Sequence, residues 1–399
     1  MMEPWLSIVG IGEDGLEGLS SPARKAVTAS EVIVGAERHH ALSQGLDAER
    51  ITWPKPFNHM LAVLEALKHR PTCVLVTGDP VWYSAGTKIA SHFGTDDVRI
   101  HPHISAFQLA CARMGWALQD VETLTIHGRA VGSIQPFLSP GARLVILTHD
   151  GASPSQVGAL LSEAGYSESR LTVLADMGGA KETRLEGVAS AWRETVSPFH
   201  TLCVECSTKP DLAPLPRGPG LPDNAFEHDG KMTKRDIRAL ALAKLAPRPN
   251  ELLWDIGAGC GSVGIEWMRS ARGGRAIGIE PNAERRAIAE RNAQKLGVSR
   301  FELADGTAPG ALLELDKPDA VFIGGGLSEE TVEVCLAALK PHGRLVANAV
   351  TLESELLLIQ CHKRFGGELA RLSIAYADTI GRYRGWRSAM PITQWSLVV

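Results

Sequence analysis

Apolar residues and glycines alternate in blocks along residues 252–280, and these blocks predict the element around which the second half of the chain is built. An apolar run over residues 252–256 predicts a buried strand, a helical stretch follows, and a second apolar run ends at Glu280. Three alternate glycines separate the first strand from the helix: Gly257, Gly259 and Gly261. Such glycines let a ligand approach the backbone, the helix N-terminus offers free N–H groups, and the final acid can bind ribose hydroxyls. The pattern therefore predicts a βαβ unit that binds a nucleotide-like ligand.

Short apolar strands and amphipathic helices continue to alternate over residues 225–399, which predicts an α/β fold with a doubly wound, mostly parallel sheet and an antiparallel end strand. The last predicted strand is a long one around residues 369–377. Ahead of the βαβ unit, Thr233 with Asp236 three residues later predicts an N-cap for a helix that ends at Leu245.

The first half alternates in the same way with shorter elements, and it predicts two small α/β lobes, about residues 1–115 and 116–208. Residues 209–224 then hold five prolines with glycines between them: Pro210, Pro214, Pro216, Pro219 and Pro222. Proline at this density continues neither a helix nor a central strand, so this segment is predicted to be a linker. We therefore expect one domain over residues 1–208 and another over residues 225–399.

Residues 10–15 match the G-x-G-x-x-G pattern of dinucleotide sites. In such a site the helix opens at the glycines themselves, whereas here the next helix is expected to start only at Ser20 or Ser21. This spacing favours a loop for a different ligand, with a plain tight turn as the alternative.

A second candidate loop follows the apolar strand predicted over residues 73–77. This strand runs into Gly78, Asp79 and Pro80, at the kind of carboxyl edge where open α/β sheets bind ligands. The same three residue types are also the usual turn formers, so a simple turn remains the alternative.

Composition and charge narrow the class of protein. The net charge of −4 argues against a nucleic-acid-binding protein, for which a basic excess is the norm. The N-terminus lacks a basic region, and no apolar run reaches about 18 residues, so neither a signal peptide nor a membrane span is predicted. Seven scattered cysteines, an odd number, fit a reducing cytoplasm. We expect a cytoplasmic protein without nucleic-acid or membrane partners.

Two cofactors compete for the glycine turn of the second half. Residues 259–264 also match G-x-G-x-x-G, which keeps an NAD(P)-dependent oxidoreductase open as the alternative function. Asp255, however, precedes the first glycine, where it would attract an ammonium group and repel a pyrophosphate. S-adenosylmethionine (SAM) carries an ammonium and a sulfonium and no phosphate, so Asp255 favours SAM. A non-enzymatic SAM-sensing module is a weaker third interpretation.

The second half resembles the class I SAM-dependent methyltransferases. The motif residues that carry this resemblance are Asp255, Gly257, Gly259, Gly261, Glu280, Asp305 and Gly306. Three flanking segments resemble, more narrowly, the precorrin methylases that methylate C15 and decarboxylate the C12 acetate: residues 229–238, 322–326 and 348–353. One departure is Leu327, which follows the three glycines of residues 324–326 where the stand-alone form has a small residue.

The first half resembles the class III tetrapyrrole methylases, and among them the C5-methylating members. Its motifs are residues 9–15, 77–80, 105–106 and 127–129. In this order and joined by a proline-rich linker, the halves resemble the bifunctional methyltransferases that convert precorrin-6Y to precorrin-8X in cobalamin biosynthesis. The resemblance implies a two-lobed tetrapyrrole-methylase fold followed by a Rossmann-like class I methyltransferase fold.

The resemblance also implies two SAM sites, one per domain, no metal, a precorrin substrate and self-association into a homo-oligomer. The residues expected at the SAM sites are Gly78, Asp79, Ser105, Ala106, Thr233, Asp255, Gly257, Gly259, Gly261, Glu280, Asp305 and Gly306. Because a precorrin carries many carboxylates, basic side chains near the cofactor are candidates for substrate binding or acid–base chemistry. These candidates are His127, Arg129, Lys231 and Arg238, with Lys234, Arg235, Arg382, Arg384 and Arg387 as further basic residues.

Overall fold

The computed structural model describes residues 4–54, 56–208 and 213–399. The chain divides into two compact units, one of Met1–Val131 with Ser139–Leu212 and the other of Gly132–Leu138 with Ala213–Val399. The short segment Gly132–Leu138 groups with the second unit, which the sequence pattern did not predict. Residues 209–212 of the predicted linker, including Pro210, lie outside the described residues.

The first unit begins with a five-stranded parallel sheet in the order β3-β2-β4-β1-β5. Its strands are β1 Leu6–Ile11, β2 Val32–Gly35, β3 Glu49–Thr52, β4 Thr72–Thr77 and β5 Val98–His101. Its helices are α1 Ser21–Thr28, α2 Glu37–Leu42, α3 Met60–Ala66, α4 Gly86–Phe93 and α5 Ala106–Met114. Alternate residues of the central strands enter separate cores, with Ile8 and Val74 in one and Val9 and Leu75 in the other. Burial on both faces explains why these strands are apolar almost throughout.

The second sheet of this unit is mixed, in the order β6-β7-β10-β8-β9. Its elements are β6 Glu122–Thr125, β7 Arg143–Leu147, α6 Ser153–Glu163, β8 Arg170–Ala175, β9 Thr183–Val188 and β10 His200–Glu205. Strand β6 runs parallel to β7, and the remaining pairs are antiparallel. Sequence reasoning missed β9, because this edge strand is almost entirely exposed and has no apolar alternation.

The second unit is built on a seven-stranded sheet in the order β13-β12-β11-β14-β15-β19-β16. The strands of this sheet are β11 Leu252–Ile256, β12 Arg275–Ile279, β13 Glu302–Ala304, β14 Ala320–Ile323, β15 Arg344–Ala349, β16 Glu368–Leu372 and β19 Ile392–Val398. The unit also contains β17 Ala375–Ile380 and β18 Tyr383–Ser388, which lie outside this sheet. Its helices are α7 Arg235–Leu245, α8 Ser262–Ser270, α9 Ala283–Lys295, α10 Glu329–Ala338 and α11 Leu352–Phe365. The first five strands of the order are parallel, and β19 runs antiparallel to both β15 and β16. The doubly wound, mostly parallel sheet with an antiparallel strand near its end is therefore confirmed.

The prediction of one long strand around residues 369–377 is wrong. The chain leaves the main sheet after β16, and β17 pairs with β18 in a separate hairpin. Gly381, with φ +60°, and Arg382 form the two-residue turn of this hairpin. Apolar residues continue from β16 into β17 although the two strands belong to different sheets. The sequence therefore carries no local signal for the end of β16.

In the part of the chain that the structure describes, no helix has both the length and the apolar character needed to cross a membrane.

Candidate functional site

The first unit contains a cavity of about 630 Å³ at the carboxyl ends of β1 and β4, where open parallel sheets bind ligands. This volume lies within the range of roughly 300–1,000 Å³ that small-molecule sites occupy. Six residues expected from the sequence line it together: Gly78, Asp79, Ser105, Ala106, His127 and Arg129. The structure thus brings residues of both sheets into one cavity.

The loop after β4 is held in a tight turn. Gly78 has φ +63°, and the Oδ1 atom of Asp79 accepts a hydrogen bond from the N–H of Val81 at 2.8 Å. A Cβ on Gly10 of β1 would lie 2.1 Å from the carbonyl oxygen of Gly78, so only glycine allows these two segments to approach so closely. Helix α1 begins only at Ser21, as the sequence spacing predicted, which leaves residues 10–15 without the helix opening of a dinucleotide site.

Ser105 sits at the N-cap of α5, again at the cavity wall. Its hydroxyl accepts from the N–H of Gln108 at 3.2 Å, and the Gln108 side chain accepts from the N–H of Ser105 at 2.9 Å. This reciprocal capping box fixes the start of the helix, so that the adjoining Ala106 also faces the cavity.

His127 and Arg129, which follow β6, also line the cavity. The Nδ1 atom of His127 is 3.3 Å from the carbonyl oxygen of Thr148, which places a hydrogen on Nδ1 and leaves Nε2 without one in the neutral ring. The imidazole ring lies 5.4 Å from that of His149, and the Arg129 guanidinium lies 5.7 Å from the ring of Tyr83. Both residues are exposed and therefore accessible to a ligand.

Sequence reasoning missed a polar group that also lines this cavity. Arg38 forms an ion pair with Glu13, donates from Nη1 to the hydroxyl of Thr77 at 2.8 Å, and stacks 3.9 Å above the ring of Phe199. Burial lowers the pKa of Arg38 to about 10, against the opposing effect of Asp176, so the side chain stays charged at neutral pH. The position of Arg38 just after the carboxyl end of β2 was the available signal, since ligand residues gather at that edge.

The glycine turn of the second unit is built around two buried acids. The Oδ2 atom of Asp255 accepts from the N–H of Gly264 at 2.8 Å, and Asp255 is 1% exposed. Glu280, also buried, accepts from the N–H of Gly259 at 2.9 Å and from that of Asn282 at 3.1 Å. The pKa of Asp255 is raised to about 7, chiefly by burial and also by the nearby charge of Glu280, while the hydrogen bond from Gly264 acts to lower it.

The three glycines of this turn all have positive φ, with Gly257 at +72°, Gly259 at +57° and Gly261 at +79°. A Cβ on Gly257 would lie 2.6 Å from the backbone of Gly325, so the glycine-rich loop after β14 packs directly on the turn. The structure therefore brings Asp255, the three glycines and Glu280 together as the sequence predicted.

The segment before α7 approaches the same turn from outside. A Cβ on Gly259 would meet the carbonyl oxygen of Lys231 at 3.6 Å, and the Lys231 side chain is exposed. The cap predicted for Thr233 is wrong, because α7 starts after Lys234 and no side chain caps it. The Thr233 carbonyl instead accepts from Arg238 at 2.5 Å.

The structure corrects the prediction for Arg238. Its side chain is fully buried, with Nε 2.6 Å from Glu266 and Nη1 3.2 Å from Asp223. It also donates to the carbonyls of Leu221 and Thr233. A guanidinium enclosed in this way is part of the core and is not available to bind a substrate carboxylate.

The remaining predicted residues lie further out. Asp305 is exposed, and its carboxylate pairs with Arg286 at 2.6 Å. Arg286 also donates to the carbonyl of Glu280 at 2.7 Å, which ties the loop of Asp305 and Gly306 to the acid end of β12. The three arginines near the C-terminus belong to the hairpin turn and β18 rather than to the glycine turn: Arg382, Arg384 and Arg387.

Comparison with known proteins gives two successive family matches. Residues 6–191 match the tetrapyrrole (corrin/porphyrin) methylases, and residues 224–399 match a precorrin methyltransferase domain. A curated precorrin-6Y C(5,15)-methyltransferase [decarboxylating] from Sinorhizobium sp is 43% identical, over 99% of this chain and 97% of that protein. Its counterpart from Mycobacterium tuberculosis (strain CDC 1551 / Oshkosh) is 38% identical, over 98% of each chain.

One similar solved structure is the crystal structure of the C-terminal domain of precorrin-6Y C5,15-methyltransferase from Rhodobacter capsulatus. It is 52% identical over 46% of this chain and 100% of its own, with a TM-score of 0.45. On the two curated relatives, which it matches over nearly its full length, the chain belongs to the precorrin-6Y C(5,15)-methyltransferase (decarboxylating) family of SAM-dependent methyltransferases.

Proposed function

We propose that this chain methylates precorrin-6Y at C5 and C15 and removes the carboxyl group of its C12 acetate, with precorrin-8X as the product. The observation that carries the proposal is the 43% identity to the curated Sinorhizobium enzyme across 99% of the chain. The oxidoreductase alternative receives no support from these relatives, and the late start of α1 speaks against a dinucleotide site at residues 10–15.

The two reactions are assigned to two domains, residues 1–208 and residues 225–399, with residues 209–224 as the linker. The first domain is proposed to consist of two lobes, about residues 1–115 and 116–208. The separate family matches to residues 6–191 and 224–399 support this division.

The cavity of the first unit is proposed as the site of C5 methylation. SAM supplies a methyl group on a positively charged sulfur, and replacement of a ring hydrogen by this methyl releases one proton. The cavity walls offer Gly78, Asp79, Ser105 and Ala106 for SAM. Its volume of about 630 Å³ supports this use. Alignment of the methyl group with the ring carbon is the main catalytic task, since well-oriented reactants lower the barrier without a strong base.

His127 and Arg129 are proposed to act on the substrate at this site. With its hydrogen on Nδ1, the neutral imidazole of His127 has a free electron pair on Nε2 that can take up the released proton. The exposed guanidinium of Arg129 can bind a precorrin carboxylate in bidentate form.

The glycine turn of the second unit is proposed as the second SAM site. Two buried acids at the turn suit a cationic ligand and would repel a pyrophosphate, which supports SAM over a dinucleotide. In this site Glu280 binds the ribose hydroxyls, the loop of Asp305 and Gly306 flanks the adenine, and the segment with Thr233 contacts the cofactor. Lys231, Lys234 and Arg235, all exposed, are the candidates for binding substrate carboxylates.

Neither reaction is proposed to use a protein-bound metal. Loss of CO₂ from an acetate needs an electron sink, and the conjugated ring of the substrate, with a protonated imine, supplies one. We further propose a cytoplasmic enzyme that self-associates; the seven free cysteine thiols support a reducing compartment.

The test uses the full chain with precorrin-6Y and SAM labelled in its methyl carbon. Carbon NMR of the product should show two new labelled methyl groups, at C5 and C15, and mass spectrometry should show the loss of one CO₂. A product without label, or a reaction that requires NAD(P), would refute the proposal.

A further inference from the structure

The hydrogen bonds of the cavity wall fix where the hydroxyl hydrogen of Thr77 points. Thr77 is the last residue of β4, is exposed, lines the cavity and directly precedes Gly78 and Asp79. Its oxygen lies 2.8 Å from Nη1 of Arg38 and 2.9 Å from Nε2 of His39. A guanidinium can only donate, so the first of these contacts uses one lone pair of the hydroxyl oxygen.

The second contact is also donated to Thr77, because the tautomer of His39 is fixed from its other side. His39 is the third residue of α2, and its Nδ1 atom accepts the N–H of Ala36 at 3.1 Å, as a Glu or Gln does in a capping box. Nδ1 therefore carries no hydrogen, and the neutral ring has its single hydrogen on Nε2.

His39 stays neutral in its surroundings. It is 5% exposed, and burial, followed by the positive charges of Arg38 and His40, lowers its pKa to about 4. Both lone pairs of the Thr77 oxygen are thus occupied by donors. Its own hydrogen has no acceptor among the described residues, and Thr77 is an exposed residue of the cavity wall.

We propose that His39 is a positioning residue of the N-terminal site, which together with Arg38 commits the Thr77 hydroxyl to donate a hydrogen bond to a ligand carboxylate. This inference rests on the proposed function for the existence of a ligand in the cavity, and it assigns a role to residues that the proposal does not use.

A carboxylate is the chemistry that fits this donor. The Thr77 hydroxyl sits beside a guanidinium whose charge is already balanced by Glu13, so the pair itself does not repel an anion. The ring of Phe199 lies 3.9 Å from the guanidinium carbon of Arg38. Two carboxylates can reach the cavity under the proposed function: the amino-acid carboxylate of SAM, and an acetate or propionate side chain of the precorrin.

The test compares Thr77→Val, which keeps the shape and removes the hydroxyl, with Thr77→Ser, which keeps the hydroxyl. Thr77→Val should lower the affinity for the carboxylate-bearing ligand by about tenfold to hundredfold, the range for a hydrogen bond to a charged group. The affinity of Thr77→Ser should stay near that of the wild-type chain. Thr28→Val on α1 is the matched control, because the hydroxyl of this exposed residue bonds only to helix carbonyls. It should change neither the affinity for SAM nor the KM for the precorrin.

Two measurements distinguish the source of the carboxylate. SAM binding is measured by calorimetry in a chain that also carries Asp255→Asn and Glu280→Gln, and KM for the precorrin is measured from C5 methylation. If SAM supplies the carboxylate, its affinity falls in Thr77→Val, and SAM lacking the carboxyl group binds wild type and variant equally. If the precorrin supplies it, SAM affinity is unchanged and the precorrin KM rises.

The role of His39 is tested by a double-mutant cycle with His39→Leu and Thr77→Val, and His39→Gln, whose amide keeps an acceptor and a donor, is the conservative variant. A positioning role predicts that His39→Leu weakens binding of the same ligand as Thr77→Val, that His39→Gln binds it more tightly than His39→Leu, and that the double variant binds it no more weakly than Thr77→Val alone. Additive losses, or a loss in kcat with both affinities intact, would overturn the inference, as would a Thr77→Val variant with normal affinities for both ligands. Failure of the wild-type chain to bind SAM and precorrin would instead count against the proposed function.

Discussion

Buried charge is the main feature of the second unit at the scale of single residues. Glu266 is 1% exposed, and its carboxylate accepts from Arg238 and from the N–H groups of Gly220 and Leu221 at 2.6 and 3.1 Å. Arg238 in turn donates to Leu221 and Thr233. The pair therefore anchors the chain on both sides of residues 222–232, which include the segment that reaches the glycine turn.

The first prediction concerns this pair. Arg238→Ala would leave Glu266 buried without its counter-charge, so the free energy of unfolding of the second unit should fall by about 3–5 kcal/mol. Arg275→Ala is the control, because its ion pair with Glu302 at 3.1 Å is largely exposed and should cost less than about 1 kcal/mol. Chemical denaturation of the full chain measures both variants. Equal losses would show that burial of the Arg238 pair has no energetic consequence.

The second prediction concerns pH and Asp255. The pKa of this carboxyl is about 7 in the folded chain and near its ordinary value of 3.8 when unfolded, so between these values the folded state holds a proton that the unfolded state has released. Stability from this group is fully present below about pH 4 and is lost as pH rises through about 7.

Asp255→Asn cannot titrate but keeps an oxygen for the Gly264 N–H. The difference in free energy of unfolding between Asp255→Asn and wild type should therefore grow in favour of the variant between about pH 4 and pH 7 and be constant above that range. Denaturation of both chains across this range supplies the measurement. A difference that does not vary with pH would contradict the raised pKa.

At the scale of elements, local signals decided what could be predicted. The strand predicted over residues 73–77 is found as β4, since its own apolar residues specify it. The cap at Thr233 failed because Arg238 holds the Thr233 carbonyl and the helix starts two residues later.

The candidate sites follow the same rule. The glycine turn after β11 could be predicted from the sequence, because its three positions with positive φ favour glycine and are marked by glycines in the chain. The contacts of Arg38 with Thr77 and Glu13 could not, since they join residues up to 39 positions apart and depend on the order of strands in the sheet.

The third prediction concerns the backbone of this turn. In Gly257→Ala the new Cβ would meet the Gly325 backbone at 2.6 Å, and the residue would keep a φ of +72°, so both steric overlap and backbone strain arise. Gly115→Ala is the matched control, because Gly115 lies in the left-handed region, with φ +65° and ψ 32°, and nothing lies within 4 Å of the added Cβ. The control should lose about 1–2 kcal/mol of stability and keep SAM affinity. Gly257→Ala should lose more stability and SAM binding in the second unit, as measured by denaturation and calorimetry.

At the scale of the whole molecule, each unit contains its own candidate site, made of its own residues. Asp79 lies in the cavity of the first unit, and Asp255 with Glu280 lies at the turn of the second. If the sites work independently, damage to one leaves the chemistry of the other intact.

The fourth prediction tests this independence in the full chain. Asp79→Ala should lower C5 methylation by at least about tenfold, as expected when a positioned polar group is removed from a reacting site. The double variant Asp255→Asn, Glu280→Gln should abolish C15 methylation and decarboxylation. Carbon NMR of products made with labelled SAM reports each methyl group separately.

Mixing the two variants tests the same independence of the two sites, whichever reaction comes first. Each variant retains the site that the other has lost, so together they should form the doubly methylated, decarboxylated product if the intermediate can leave one chain and enter another. The double variant alone should form none of this product, and Asp79→Ala alone should form it at least about tenfold more slowly than the wild-type chain. Restoration by the mixture requires two separable sites that share a diffusing intermediate. Loss of both methylations in the Asp79→Ala chain, without restoration by its partner variant, would contradict two sites that work independently.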